Sequence, residues 1–146
     1  MRPGDGSALV AVTAARLDQE TARLRAVLAD EARLRAALAR LDAQAEAARA
    51  LPEQAMRGLR EIGADLSWQG WVGRSRAALN SELALALARK ERALPPLRQA
   101  FGKAEAARAL VAHHLSLRHH DSQAREAQRL EHLALLRLAR ARDHTS

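Results

Sequence analysis

The chain has 146 residues with no cysteine and no tyrosine. It is 48% hydrophobic but only 2% aromatic, so alanine and leucine supply most of its apolar content. Disulfide and thiolate chemistry are excluded, and a thick core is too, because only Trp68, Trp71 and Phe101 bring large rings. The net charge of +7 falls wholly in the second part: residues 1–66 carry ten arginines against ten acids, residues 67–146 fourteen Lys and Arg against seven acids, which points to an acidic partner surface.

Residues 1–7 (MRPGDGS) read as a flexible start in which Asp5 and Ser7 are the available helix caps. The apolar run Ala8–Val12 is too short for a signal peptide, and Asp5 precedes it. A first helix is expected over 8–62. A three–four spacing of one face can be walked along it from Val10 through Leu17, Leu24, Leu34, Leu41, Ala48 and Leu59 to Leu66. That is a coiled-coil seam. Glu20 and Glu31 fall on it as weak points, suited to an open end. Pro52 interrupts the pattern and predicts a kink or a brief break near Ala50–Pro52, because it has no amide donor and crowds the carbonyl four residues back. The helix should resume at Glu53, where a negative charge suits a first turn.

Residues 63–67 read as a tight turn, with Gly63 as a left-handed cap and Asp65 or Ser67 opening the next helix. So short a connection makes the following helix antiparallel. That helix is expected over 68–143, with a stripe through Leu79, Leu83, Ala86 or Leu87, Leu94, Leu97, Phe101, Ala104, Val111 and Leu115 and a sharp kink at Pro95-Pro96. The fold class is therefore all-α, a long antiparallel two-helix coiled-coil hairpin kinked at Pro52 and Pro95-Pro96. The arms are unequal, about 55 residues (~80 Å) against about 75. From about residue 123 the second helix has no partner on the first. This C-terminal overhang holds Arg125, Arg129, Arg137, Arg140 and Arg142 together with Leu130, Leu133, Leu136 and Leu138. An apolar stripe without an internal partner implies an external one or local disorder.

No catalytic constellation emerges: there is no phosphate loop, no serine elbow and no cysteine nucleophile. A narrow two-helix seam also offers no pocket. The histidines His113, His114, His119 and His120 lack the i, i+3 or i, i+4 pairing that a helical metal site needs. Trp68 and Trp71 sit at the hairpin tip beside Arg74 and Arg76. They read either as packing against Ile62 and Leu66 or as a recognition tip, since Trp and Arg are favoured interface anchors. The arginines of the second half suit phosphate, but interleaved acids and the lack of stacking aromatics weigh against nucleic acid. A basic amphipathic end lying on a membrane surface is a further alternative. Phosphate binding alone would not need leucines on the free end, which favours a protein partner.

The long helices, the mid-chain turn, the Trp at the start of the second helix and the basic overhang resemble the family of the flagellar export protein FliJ. The stretch WQGWVGRSRAALNSELALALARKERALPPLRQAFGKAEAARALVAHH, from Trp68 to His114, carries most of the likeness. The resemblance implies a non-enzymatic stalk and chaperone-escort component of type III export, similar to the central stalk of rotary ATP synthases. Its helix ends would enter the ring of the export ATPase hexamer, its hairpin side would meet the membrane export gate, and substrate chaperones would dock on the coil. It would work in the cytoplasm at the inner face of the membrane, without cofactor, metal or small-molecule substrate. Trp71 and Arg74 fall where the family has aromatic gate-binding residues, with Trp68 beside them; Arg74 departs from that pattern, and Pro95-Pro96 departs from a smooth coil. The overhang from Arg125 to Arg142 falls where the family's stalk meets the ring. The rival reading is a coiled-coil adaptor or scaffold without an export role.

Overall fold

The computed structural model describes Arg2 and residues 4–144; Met1 and Pro3 of the expected flexible start lie outside the described residues. Three helices follow in order: α1 (Asp5–Arg49), α2 (Glu53–Glu61) and α3 (Ala64–Asp143). The chain divides into two compact units. Ala15–Phe101 forms one; the segments up to Ala14 and from Gly102 onward form the other.

α1 begins at Asp5, earlier than the expected residue 8, so Ser7 lies inside the helix. The Asp5 carboxylate accepts a hydrogen bond from the Arg2 backbone N–H at 3.0 Å, and its negative charge suits the first turn. The first arm breaks at residues 50–52 and resumes at Glu53, as expected, so it consists of two helices. Regular pairing ends as Ala50 N–H donates to Glu46 and Leu51 N–H to Ala48. Pro52 then adopts φ −55°, ψ 144°, extended values that its ring permits and a helix does not. Its carbonyl accepts from Met56 N–H at 3.1 Å, which starts α2.

The turn is shorter than expected. Gly63, at φ 72°, supplies the left-handed residue, and Ser67 N–H already donates to the Gly63 carbonyl at 3.2 Å. α3 therefore starts at Ala64, and neither Asp65 nor Ser67 caps it. Asp65 lies in the first turn, where its carboxylate accepts from Gln69 at 3.2 Å.

Within Ala15–Phe101, α1 packs antiparallel on α3 as a helical hairpin. Leu41, Ala45 and Val72 are buried together, with Trp68 and Leu79 packed against them. Two cross-helix ion pairs set the register: Arg76 with Asp42, and Lys90 with Glu31 at 3.0 Å. Counted from the second pair, Leu34 on α1 comes level with Ala86 and Leu87, and both Leu34 and Ala86 are buried. Eleven residues from the Lys90–Glu31 pair on each helix, Glu20 comes level with Phe101, beside buried Ala100.

The seam glutamates are not the loose points expected. Glu20 is only 2% exposed, and Arg16 (2.8 Å) and Arg23 (3.5 Å) fold over its Oε1 from one turn on either side. Their long stems let the guanidinium groups neutralise a carboxylate inside the seam while staying in water themselves. Glu31 gains the matched lysine across the interface. The seam line of α3 follows the expected one at buried Ala86 and Ala104 and departs from it elsewhere. Ala100 is buried, whereas Phe101 is 55% and Leu115 58% exposed. Buried Ala86, half-buried Ala93 and buried Ala100 stand seven residues apart, and small side chains there let the α1 leucines approach the α3 backbone.

At Pro95-Pro96, where a sharp kink is expected, α3 remains one continuous helix. Glu91 and Arg92, the residues whose carbonyls lose donors there, are exposed, so water can satisfy them, and seam contacts on both sides hold the helix. In the other unit, Gly6, Ala104 and Ala107 are buried, and Val111 and His114 are the last half-buried positions.

Two outcomes test this account. Gly63→Ala should cost about 1 kcal/mol or more in denaturant unfolding, because alanine resists a positive φ. The Glu31 carboxyl is held below the usual range first by the Lys90 hydrogen bond and then by that of Arg35, with desolvation opposing. A lowered folded-state value contributes stability above the unfolded-state pKa and loses it as pH falls through the folded value. Glu31→Gln should therefore flatten the acid limb of the stability–pH profile below about pH 4; an unchanged acid limb contradicts the assignment.

Candidate functional site

Trp68 and Trp71 sit one helical turn apart near the start of α3, with ring centroids 5.0 Å apart and planes 26° apart. They are not equivalent. Trp68 is half-buried and rests on the Leu41–Ala45–Val72 cluster, whereas Trp71 is 45% exposed. Neither packs under Ile62 or Leu66, which are 77% and 74% exposed, because the turn ends at Gly63 and carries those side chains outward. Arg74 is exposed and folds back over Gly70, its Nη1 3.2 Å from where a Cβ would stand. The absence of a side chain at Gly70 thus leaves room for the Arg74 guanidinium.

The sequence reading of a seam without a pocket is corrected here. The break at Pro52 turns α2 aside and opens a cleft of about 690 Å³ between the end of α1, α2 and the start of α3. Ala45, Ala48, Val72 and Trp68 line one side, Met56 and Leu59 of α2 the other, with Arg49, Asp65 and Arg76 also lining it. α2 buries no residue. The signal in the sequence was the pair Met56 and Leu59, apolar three residues apart immediately after a proline break. A shallower groove of about 400 Å³ runs past Ala37, Leu41, Ala78 and Leu79, and Trp71 lines it. The two tryptophans therefore serve different hollows.

In the other unit, every described residue of α3 from Leu115 onward is exposed, so exposure begins before the expected residue 123. Leu130 and Leu138 are 64% exposed, Leu133 51% and Leu136 44%. Arg125 pairs with Asp121. Arg129, Arg137 and Arg140 form no salt bridge among the described residues, and Arg142 takes part in a further interaction. At 3.6 residues per turn, the line of buried Ala104 and Ala107 runs on into Arg118, Arg125, Arg129, Leu136 and Arg140. The face that is apolar beside α1 becomes a basic ridge beyond it, with Leu133 and Leu136 set among the charges. Arg137 and Leu130 lie to one side of the ridge and Arg142 on the opposite side of the helix.

His114 is half-buried and His113, His119 and His120 are exposed; among the described residues no three His, Cys, Asp or Glu side chains are grouped to hold a metal ion. Among the same residues no helix is long and apolar enough to cross a membrane. Comparison with family models, curated proteins and solved structures returns no match.

The tryptophan pair divides stability from recognition. Trp68→Ala should lower the denaturation midpoint clearly, since it removes both a stacked ring, worth about 0.5–1.5 kcal/mol, and a seam contact. Trp71→Ala should cost less, because its ring is nearly half in water. Equal losses from the two variants would contradict this division.

Proposed function

We propose that this chain is a non-enzymatic stalk that binds proteins at its ends: a FliJ-like coupling and chaperone-escort factor of type III export, acting at the inner face of the cytoplasmic membrane. The observation that carries the reading is the basic ridge on the free stretch of α3. There Arg125, Arg129 and Arg140 surround exposed Leu133 and Leu136. A helix with unburied leucines among arginines suits an apolar groove with an acidic rim, such as the inside of a ring of subunits. In this reading Arg137, Arg142 and Leu130 widen the contact, since a helix inside a ring meets subunits on several sides. The stacked tryptophans with Arg74 form the second contact, toward the export gate, and the paired helices space the two. Leucines at the free end favour a protein over nucleic acid, because neutralising phosphates needs only the arginines.

Deletion of residues 123–146 tests the ring contact. The truncated chain should keep the helical signal expected of its remaining residues and its melting midpoint, since no described residue it lacks is buried, yet it should lose binding to an export ATPase hexamer and stimulation of its hydrolysis. Retained binding and stimulation would overturn the ring contact and leave a scaffold as the better reading.

A further inference from the structure

The free stretch of α3 has a second face, about half a turn around the helix from the basic ridge. Ala127, Leu130, Ala134, Leu138 and Ala141 follow one another along it at steps of three or four residues, all exposed. It lies on the side of α3 away from buried Ala104 and Ala107, so the line along which α1 seats does not lead to it. Read in either direction the stripe is the same. Leu130 and Leu138 are equidistant from Ala134, and so are Ala127 and Ala141.

We propose that this face binds a second copy of the chain, with the two helices antiparallel about a two-fold axis at Ala134. A two-fold interface must be self-complementary, each residue meeting its mirror position on the partner. A palindromic stripe meets that condition: Leu130 comes level with Leu138 of the second copy, and Ala134 with itself. The spacing also repeats a device the chain already uses. Ala127, Ala134 and Ala141 stand seven residues apart, like Ala86, Ala93 and Ala100, the line on which α1 is seated. Alanines at that interval admit a neighbouring helix closely enough for leucines to fill the space between them.

Charge selects both the occupant and its direction. In an antiparallel pair each flank of the stripe meets the same flank of its copy, reversed. Glu126 and Arg137 share one flank, so each glutamate comes within a long side chain's reach of the other copy's arginine. A parallel pair would turn each flank to the opposite flank of its copy, setting Arg137 near Arg142 and Glu126 near Glu131. The stripe is only about 22 Å long, so the interface is small and the association reversible and concentration-dependent. The inference does not rest on the export reading, whose main contact is the basic ridge; the two share only Leu130 and the flanking Arg137 and Arg142.

The test uses the full chain. Sedimentation velocity from about 1 to 200 μM should show a monomer–dimer equilibrium. Ala134→Glu, which sets like charges on the axis at an exposed site, should weaken it at least tenfold with the helical signal unchanged. Cysteine scanning then reads the geometry, since the natural chain has none. A134C should cross-link to itself on mild oxidation. A127C alone should not, its two copies lying about 21 Å apart, but A127C mixed with A141C should give a cross-linked heterodimer. A monomer throughout the range would overturn the proposal. So would an A127C variant that cross-links to itself as readily as A134C, which would mark a parallel pair. Neither result bears on ATPase binding by the basic ridge.

Discussion

The hairpin of Ala15–Phe101 depends on one constraint: α1 must come close enough to α3 for leucines to fill the space left by alanines. With so few aromatic rings, no bulky group bridges a wider gap. Burying a leucine is worth about 1.5–3 kcal/mol and an alanine much less, so the α1 leucines carry the seam while the α3 alanines set its width. The Lys90–Glu31 pair fixes which leucine meets which alanine. A slip by one heptad would leave both charges facing apolar side chains, and an unpaired charge in such a place is costly. Ion pairing here specifies register more than it adds stability.

The same residue type has opposite consequences at two places. Pro52 ends α1, while Pro95 and Pro96 are carried inside α3. The difference lies in what flanks them. Around Pro95-Pro96 the seam continues on both sides, from Ala86 and Lys90 to Ala100, and continued packing outweighs the two missing amide donors. Past Pro52 the expected seam positions Ala55, Ile62 and Leu66 are exposed, so nothing enforces a straight path and the chain takes the bend its proline prefers. That bend creates the apolar cleft between α2 and α3.

This contrast also marks what could be read from the residues. The seam of α1 was legible from Val10 to Ala48, because there one periodic line contains nearly all the large apolar groups. The α3 seam was not. Leucines and alanines are scattered around it, and the largest side chain, Phe101, is misleading, since close packing selects Ala100 beside it. Glu20 looked like a defect because a sequence pattern does not show that Arg16 and Arg23 bend over it. The free end of α3 was legible from arm lengths alone, and so were its leucines and arginines. Their sorting into a basic ridge and an apolar stripe depends on where the buried line of α3 lies, which the drifting pattern left open. Trp68 and Trp71 were found by rarity, but only geometry assigns one to the seam and the other to solvent.

The turn at Gly63 brings a kinetic consequence. The cluster of Leu41, Ala45, Trp68, Val72 and Leu79 is the part of the hairpin core nearest that turn, so its contacts close the shortest loops and cost the least chain entropy. Pairing begun there can advance one heptad at a time toward Glu20 and Ala100, each new layer closing only a small extra loop. A chain built this way acquires order from the bend outward. During synthesis it would hold an unpaired α1 until the ribosome had delivered the first turns of α3, after which the tryptophans would close the hairpin before its far layers existed.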